Sequence, residues 1–288
     1  MSSATIRNAF TIDVEDYFHV YAFASHIPRA SWNSLPCRVE RNVDAILALL
    51  AEHDAHATFF MLGWVAERYP ALVRRIVDQG HELASHGYGH ELVTSLTRAE
   101  FTQDITRAKR LLEDTGGVAV RGYRAPSFSI GKDNLWALEC LSRAGYRYSS
   151  SIYPIRTDHY GMPDAPRFAN YPAAGQGLLE LPPTTVRLFN RNLPAGGGGY
   201  FRLLPYGVSR WCLQRVNEVD RQPCVFYFHP WEIDPDQPRQ RGASLKSRFR
   251  HYVNLSSMER RIRALFEDFQ WDRLDRLFLG ARDEPARV

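Results

Sequence analysis

Long apolar runs are missing from this sequence: no segment reaches the roughly 18 apolar residues that a membrane-spanning helix needs. The opening stretch, MSSATIRNAFTIDVEDYF, also lacks a basic segment followed by an apolar one, the pattern of an export signal. Both absences lead to the expectation of a cytoplasmic protein. Cysteine is scarce, and Cys37, Cys140, Cys212 and Cys224 show no C-x-x-C pairing, so buried free thiols are expected. No Ser/Gly-rich linker and no fixed-period repeat divides the chain, and the glycine run 196–199 reads as a short loop. Charge of one sign hardly prevails, at a formal net +4. The late basic residues Arg239, Arg241, Lys246, Arg248 and Arg250 lack the interleaved aromatics or binding module of a nucleic-acid reader. They read as a solvated loop, with contact to an anionic polymer or a membrane surface left open.

What is present is ordinary globular material: 288 residues, 44% hydrophobic and 24% charged. That is enough for a large core and within the range of one α/β barrel. The expectation is a single catalytic domain over 1–288, with a core of about 5–235 and a C-terminal extension of about 236–280 packed on it.

AFTIDVEDY reads as a first core strand ending in acids. Apolar positions Val39, Val43, Ile46, Leu47 and Leu50 predict a helix over 39–53. Strands are predicted at 57–63, 81–87, within 117–127, 146–152, 178–186 and 223–232. The prolines of LLELPPTTV suit an edge or exit position. Helices are predicted at 71–80 (closed by Gly80), from the capping box Thr97–Glu100 to about 114, at 133–144 (ended by Gly145) and at 205–219. A second capping box, Ser256–Glu259, is predicted to open the last long helix. Alternating strand and helix implies a mainly parallel sheet, whose strand ends then share one mouth.

Polar residues gather at those ends. His86 and His90 of SHGYGH are four apart, but Gly87 and Gly89 argue against a regular helix. By itself an H-x-x-x-H pair is a weak signal, more often a structural or surface pair than a metal site. In TIDVED, Asp13 and Glu15 fall on one face of an extended strand, with Asp16 on the other. The plain reading is a solvated turn. However, acids packed after an apolar run repel one another unless a cation sits there. Two histidines and one carboxylate around a divalent metal, with open positions, form a catalytic arrangement.

TIDVED, SHGYGH, RAPSFS and FYFHPWE, in that order, resemble the polysaccharide deacetylases of carbohydrate esterase family four (NodB homology). GGGGYFRLLPY and HYVNLSSMERRIRALFEDFQW resemble the C-terminal part of a branch associated with bacterial exopolysaccharide loci. The resemblance implies an α/β fold, a distorted seven-stranded (β/α) barrel. It implies Asp13 as catalytic base, Arg124 as its orienting partner and His229 as general acid. It implies metal ligands at His86, His90 and a carboxylate: Glu15 if the pair is spaced D-x-D, with Asp16 in reserve. The metal would be Zn2+, with Co, Ni or Fe as alternatives. The partner would be an N-acetylated glycan or its lipid-linked precursor, with peripheral contact to polysaccharide-synthesis machinery.

Tyr123, Phe128, Trp231 and Glu180 are candidate substrate contacts; aromatics there equally suit packing. Glu232 is a candidate orienter of His229, and Tyr200 a candidate lid residue. His19, His26, His53, His56, His81, His159 and His251 read as ordinary polar residues. One departure stands out: relatives often carry an aspartate in a YDSS-type stretch, where this chain has Tyr148-Ser149-Ser150-Ser151. Glu180 is the candidate replacement acid. Two other readings remain: a hydrolase of another C–N bond, such as a cyclic imide or ureide, and a catalytically silent glycan-binding protein.

Overall fold

The structure is a computed structural model and describes residues 6–157 and 160–280; His159 lies outside the described residues. Strands β1 Arg7–Val14, β2 Thr58–Met61, β3 Glu82–Ser85, β4 Gly122–Tyr123, β5 Tyr148–Ser149 and β6 Leu179–Glu180 follow one another along the sheet, all parallel. β7 Thr185–Leu188 and β8 Arg191–Pro194 form a separate antiparallel hairpin. β9 Val225–Phe228 lies on the free side of β1, making a row of seven parallel strands. β10 Gln270–Asp272 adds a short eighth strand beside the N-terminal half of β1, on the side where β2 takes the other half.

The α/β barrel expectation holds, and its distortion has a visible cause. Between the outer strands β6 and β9 there is no ladder. Thr184 bridges the gap, donating its N–H to the Val225 carbonyl at 3.1 Å and accepting the Val225 N–H on Oγ1 at 2.6 Å. Pro182 and Pro183 have no N–H to offer a ladder, so the run predicted as one strand over 178–186 splits into β6 and β7.

The helices are α1 Val39–Glu52, α2 Gly63–Arg68, α3 Pro70–Asp78, α4 Arg98–Gly116, α5 Trp136–Arg143, α6 Gly198–Leu203, α7 Tyr206–Arg215, α8 Leu245–Tyr252, α9 Met258–Asp268 and α10 Leu274–Phe278. α4 begins with the predicted box: the Glu100 N–H donates to Thr97 Oγ1, and the Glu100 carboxylate accepts the Thr97 N–H. α9 does not begin with one. Its N-cap is Ser257, whose hydroxyl donates to the Asn254 carbonyl at 2.9 Å instead of capping the helix.

Helix faces such as Val43, Ile46, Leu47 and Leu50 of α1 pack with Phe10, Ile12, Phe59 and Leu83 of the strands in one continuous core. The segment after 236 joins it: Trp271 of β10 packs edge-on to Phe10 at 5.4 Å. Cys212 and Cys224 are buried, as expected, while Cys37 and Cys140 are half-buried. Among the described residues no helix is long and apolar enough to cross a membrane.

Candidate active site

Because the strands are parallel, their C-terminal ends open on one side, and the chemistry-bearing residues leave there: Asp13 and Glu15 from β1, His86 and His90 after β3, Arg124 after β4 and His229 after β9. Asp13 and Glu15 do meet at one site, though by a different route from the predicted strand alternation. β1 ends at Val14, and the Glu15 N–H turns back to the Asp13 carbonyl at 2.9 Å.

Glu15 Oε1 lies 3.7 Å from His86 Nε2 and 3.5 Å from His90 Nε2. Ligand atoms of these three residues all fall within 4.8 Å of one another. His86 Nδ1 is 2.8 Å from the Arg124 carbonyl, an acceptor only. Nδ1 therefore carries the proton, and Nε2 presents a lone pair inward. Both histidine Nε2 atoms are buried without a hydrogen-bond partner among the described residues. Burial alone would raise the Glu15 pKa, but attraction to His90 and His229 outweighs it and holds the carboxyl well below the usual carboxylate range. A buried anionic carboxylate facing two orphaned imidazole nitrogens is a donor set that fits a divalent metal.

The loop carrying the histidines is held from below. Asp104 of α4 accepts the Tyr88 N–H at 3.1 Å. Gly87 sits at φ +75°, where a side chain is rarely tolerated, and His90 itself adopts φ +56°.

Asp16, the reserve ligand, is not in this cluster. Its carboxylate accepts the N–H groups of Tyr17 and Val39, both at 2.8 Å, and the Cys37 thiol at 3.0 Å, so it caps the start of α1. The β1 exit thus splits its acids by burial partner, one toward the histidines and one toward a helix end.

Arg124 is fully buried beneath the mouth. Nη1 donates to Asp13 Oδ1 at 2.6 Å and to Thr11 Oγ1 at 2.8 Å. Nη2 and Nε reach Ser150, at its hydroxyl (2.9 Å) and carbonyl (3.2 Å). The guanidinium also lies 4.1 Å above the Phe60 ring. Asp13 Oδ2 stays on the open side, 4.0 Å from His229 Nε2.

Ser149 pairs in register with Glu180 on the neighbouring strand. Glu180 Oε1 accepts the N–H groups of Ser151 (2.7 Å) and Ile152 (2.8 Å). The acid absent from β5 is therefore present one strand over. It does not touch Arg124; it pins the 150–152 turn that does. Burial is the main influence on its carboxyl and raises its pKa. As a substrate contact Glu180 is corrected: it is buried behind the site.

Tyr123 is corrected too. It is 1% exposed, with its ring against Phe101 and Tyr146 on the helix side of the sheet. Phe128 is nearer the mouth but packed, 4.8 Å from Tyr227 and 5.2 Å from Tyr153. Trp231 is sandwiched rather than open to a sugar. It stacks on His229 at 5.1 Å on one face and on His251 at 4.1 Å on the other. Tyr200 is half-exposed on α6.

His229 is held from behind. Glu232 Oε1 accepts its N–H at 3.0 Å and lies 2.8 Å from Nδ1, while Nε2 faces Glu15 at 3.2 Å. Burial opposes a charge on the ring, but Glu15 and Glu232 outweigh it and hold the His229 pKa up at about 10. The Glu232 carboxyl is held down at about 2, with Arg202 and His229 overcoming its burial.

Arg202, unread in the sequence, donates Nε to Glu232 Oε2 at 2.7 Å. Its other nitrogens donate to the carbonyls of Arg250 (3.1 Å), His251 (3.0 Å) and Val253 (2.6 Å) at the end of α8. A Cβ at Gly198 would strike the Glu232 carboxylate, which accounts for one member of the glycine run. His251, read as ordinary, is buried with Nε2 2.6 Å from Gln237 Oε1. His19 is also buried near the cluster, its ring 6.5 Å from that of His90. Its only sequence signal was nearness to the TIDVED acids; Arg202 and His251 lie in the two late stretches that carried the resemblance, GGGGYFRLLPY and HYVNLSSMERRIRALFEDFQW, where nothing singled them out.

Residues 31–149 match a family profile described as polysaccharide deacetylase, and residues 150–279 match one described as a domain of unknown function, DUF3473. The chain is 35% identical over 95 residues to a peptidoglycan-N-acetylglucosamine deacetylase of Bacillus cereus, a match covering 33% of this chain and 34% of that protein. It is 37% identical over 91 residues to a chitooligosaccharide deacetylase of Sinorhizobium fredii, covering 31% and 42%. The chain thus spans less than half the length of these curated relatives. A crystal structure of a provisionally assigned polysaccharide deacetylase from Mycobacterium smegmatis superposes with a TM-score of 0.59 at 21% identity, over 96% of this chain and 91% of that one. That likeness is one of fold.

Proposed function

We propose that the chain, whose residues 31–149 match the polysaccharide deacetylase profile, hydrolyses the N-acetyl groups of an N-acetylated glycan with the help of a divalent metal. The observation that carries the reading is the pair of buried, unpartnered His86 and His90 Nε2 atoms converging on Glu15, beside the Asp13–Arg124 pair and across from His229. Glu15, His86 and His90 would hold the ion. Their mixed nitrogen and oxygen donors suit zinc, and cobalt, nickel or iron as well. When bound, the ion supplies Lewis-acid polarisation of the acetyl carbonyl.

The remaining work falls to side chains. Asp13 Oδ2 takes a proton from the attacking water while Arg124 fixes Oδ1. The developing oxyanion needs a donor. In the RAPSFS turn the Arg124 N–H is committed to Ser85 and the Ala125 N–H to Ser151, and Pro126 has none, so the Ser127 N–H is the candidate. His229 Nε2–H donates to the departing nitrogen as the C–N bond breaks, giving acetate and an amine. Glu232 takes the imidazolium charge on the opposite nitrogen.

In this reading 1–288 acts as one catalytic unit, with 236–280 packed against a core of about 5–235, and the natural glycan is an exopolysaccharide or its precursor. The test is acetate release from N-acetylglucosamine oligomers by protein stripped with chelator and reloaded with zinc. Zinc-dependent acetate supports the proposal. Hydrolysis of a cyclic imide or ureide without acetate would replace it, and glycan binding without any turnover would make the protein a silent binder.

A further inference from the structure

α8 presents two faces of different character. Its inner face carries His251, buried and stacked on Trp231. At 100° per residue, Leu245, Lys246, Phe249 and Arg250 lie on the opposite face. Leu245 is 80% and Phe249 59% exposed, a large apolar pair left in water on a single turn. The charge along this segment is of one sign: no acidic residue occurs between Asp236 and Glu259. Lys246 and Arg250 on the helix and Arg241 just before it are exposed and form no ion pair among the described residues, whereas Arg239 lies over the Tyr252 ring at 4.3 Å and Arg248 is half-buried. Exposed arginines elsewhere are of both kinds: Arg75 pairs with Glu40 and Asp44 and Arg263 with Glu52 and Glu259, while Arg74, Arg110, Arg221 and Arg260 form no ion pair among the described residues, so the α8 segment is distinguished by joining its cations to the apolar pair.

We propose that the outer face of α8 docks on an anionic lipid membrane. The argument is charge complementarity joined to the apolar pair. Unpaired cations match anionic headgroups, and Leu245 and Phe249 gain only where their side chains can leave water, at the boundary of headgroup and acyl chain. A soluble polyanion would satisfy the cations and leave the apolar pair exposed. The helix is about 12 Å long, so it lies in the surface plane rather than inserting end-on. Its other face is two stacked rings from His229, so docking brings the mouth of the barrel beside the membrane. Resting on the proposed function, this assigns a glycan carried at a membrane surface as the substrate class.

The test is co-sedimentation of the full chain with vesicles of phosphatidylglycerol and phosphatidylcholine, or of phosphatidylcholine alone, at physiological salt. Binding at least ten-fold tighter to the anionic vesicles is expected. It is lost in Leu245→Ser/Phe249→Ser and in Arg241→Glu/Lys246→Glu, all with unchanged melting temperature. Equal binding to both vesicles, or to neither, overturns the proposal. So does binding to dextran sulfate that outcompetes the vesicles and survives Leu245→Ser/Phe249→Ser, which would make the face a polyanion site. Acetate release from a soluble chitin oligomer is read separately on the same variants and is expected to be unchanged, so failed docking is distinguishable from a failed deacetylase assignment.

Discussion

Glu232→Gln is expected to move the alkaline limb of the pH–kcat profile to lower pH. His229 must carry its proton to donate it, so turnover falls as pH rises through its pKa. That pKa is held up at about 10 against burial by Glu15 and Glu232. An ion bound to Glu15 takes up most of that residue's pull, leaving Glu232, 2.8 Å from Nδ1, as the anion that keeps the proton in the working enzyme. A charge-assisted hydrogen bond of this kind contributes about 1.5–3 kcal/mol, and one pKa unit corresponds to about 1.4 kcal/mol, so the limb moves down by roughly 1–2 units. The substitution also strips buried Arg202 of its carboxylate. Breaking a buried pair costs about 3–5 kcal/mol, and the lower end applies because three carbonyls still accept from Arg202. The assay is acetate release against pH, with thermal melts at each pH. A melting temperature that falls while the limb stays in place would refute the reasoning, because Glu232 would then only brace the fold.

His86→Ala is expected to lose metal and activity together, whereas His229→Ala keeps its metal and loses roughly 10²–10⁴-fold in kcat; both are read by elemental analysis and acetate release. Trp231→Leu is expected to lower kcat with KM nearly unchanged, because the ring is buried between His229 and His251; a rise in KM alone would restore it as a sugar platform. Ser149→Asp sets a second buried acid beside Glu180 and is expected to lower the melting temperature, with Glu180→Ser on top recovering part of the loss; simple additivity in the double-mutant cycle would contradict their coupling. At the base of β3, Glu82 has its pKa pushed up from 4.5 to about 8, chiefly by burial and then by Asp275. The folded state therefore holds a proton the unfolded chain releases. Stability is fullest below about pH 4.5 and is lost as pH rises to about 8, by at most about 1.4 kcal/mol per pH unit, and Glu82→Gln is expected to flatten that slope in pH-dependent melts.

The sequence by itself determined what is decided over a few neighbouring residues. The Thr97–Glu100 box starts α4, and Gly80 and Gly145 end their helices in left-handed backbone, because caps and turns are satisfied within one turn of chain. The alternation of apolar runs implied parallel strands, and parallel strands put Asp13, His86, Arg124 and His229 at one mouth. Only the tertiary structure decided which partner each side chain would find. Ser257 had the composition of a cap but a nearer carbonyl won its hydroxyl. Asp16 went to the start of α1 and Glu15 to the histidines, although they are adjacent. Tyr123 turned toward α4 and Trp231 into a stack of imidazoles. Arg202 and His251 meet the Glu232–His229 pair and Trp231 from 20 to 30 positions away. Each of these outcomes is a competition for burial and hydrogen bonds between segments distant in the chain. Such competition leaves no periodic trace in the sequence, because it is settled only when the layers pack.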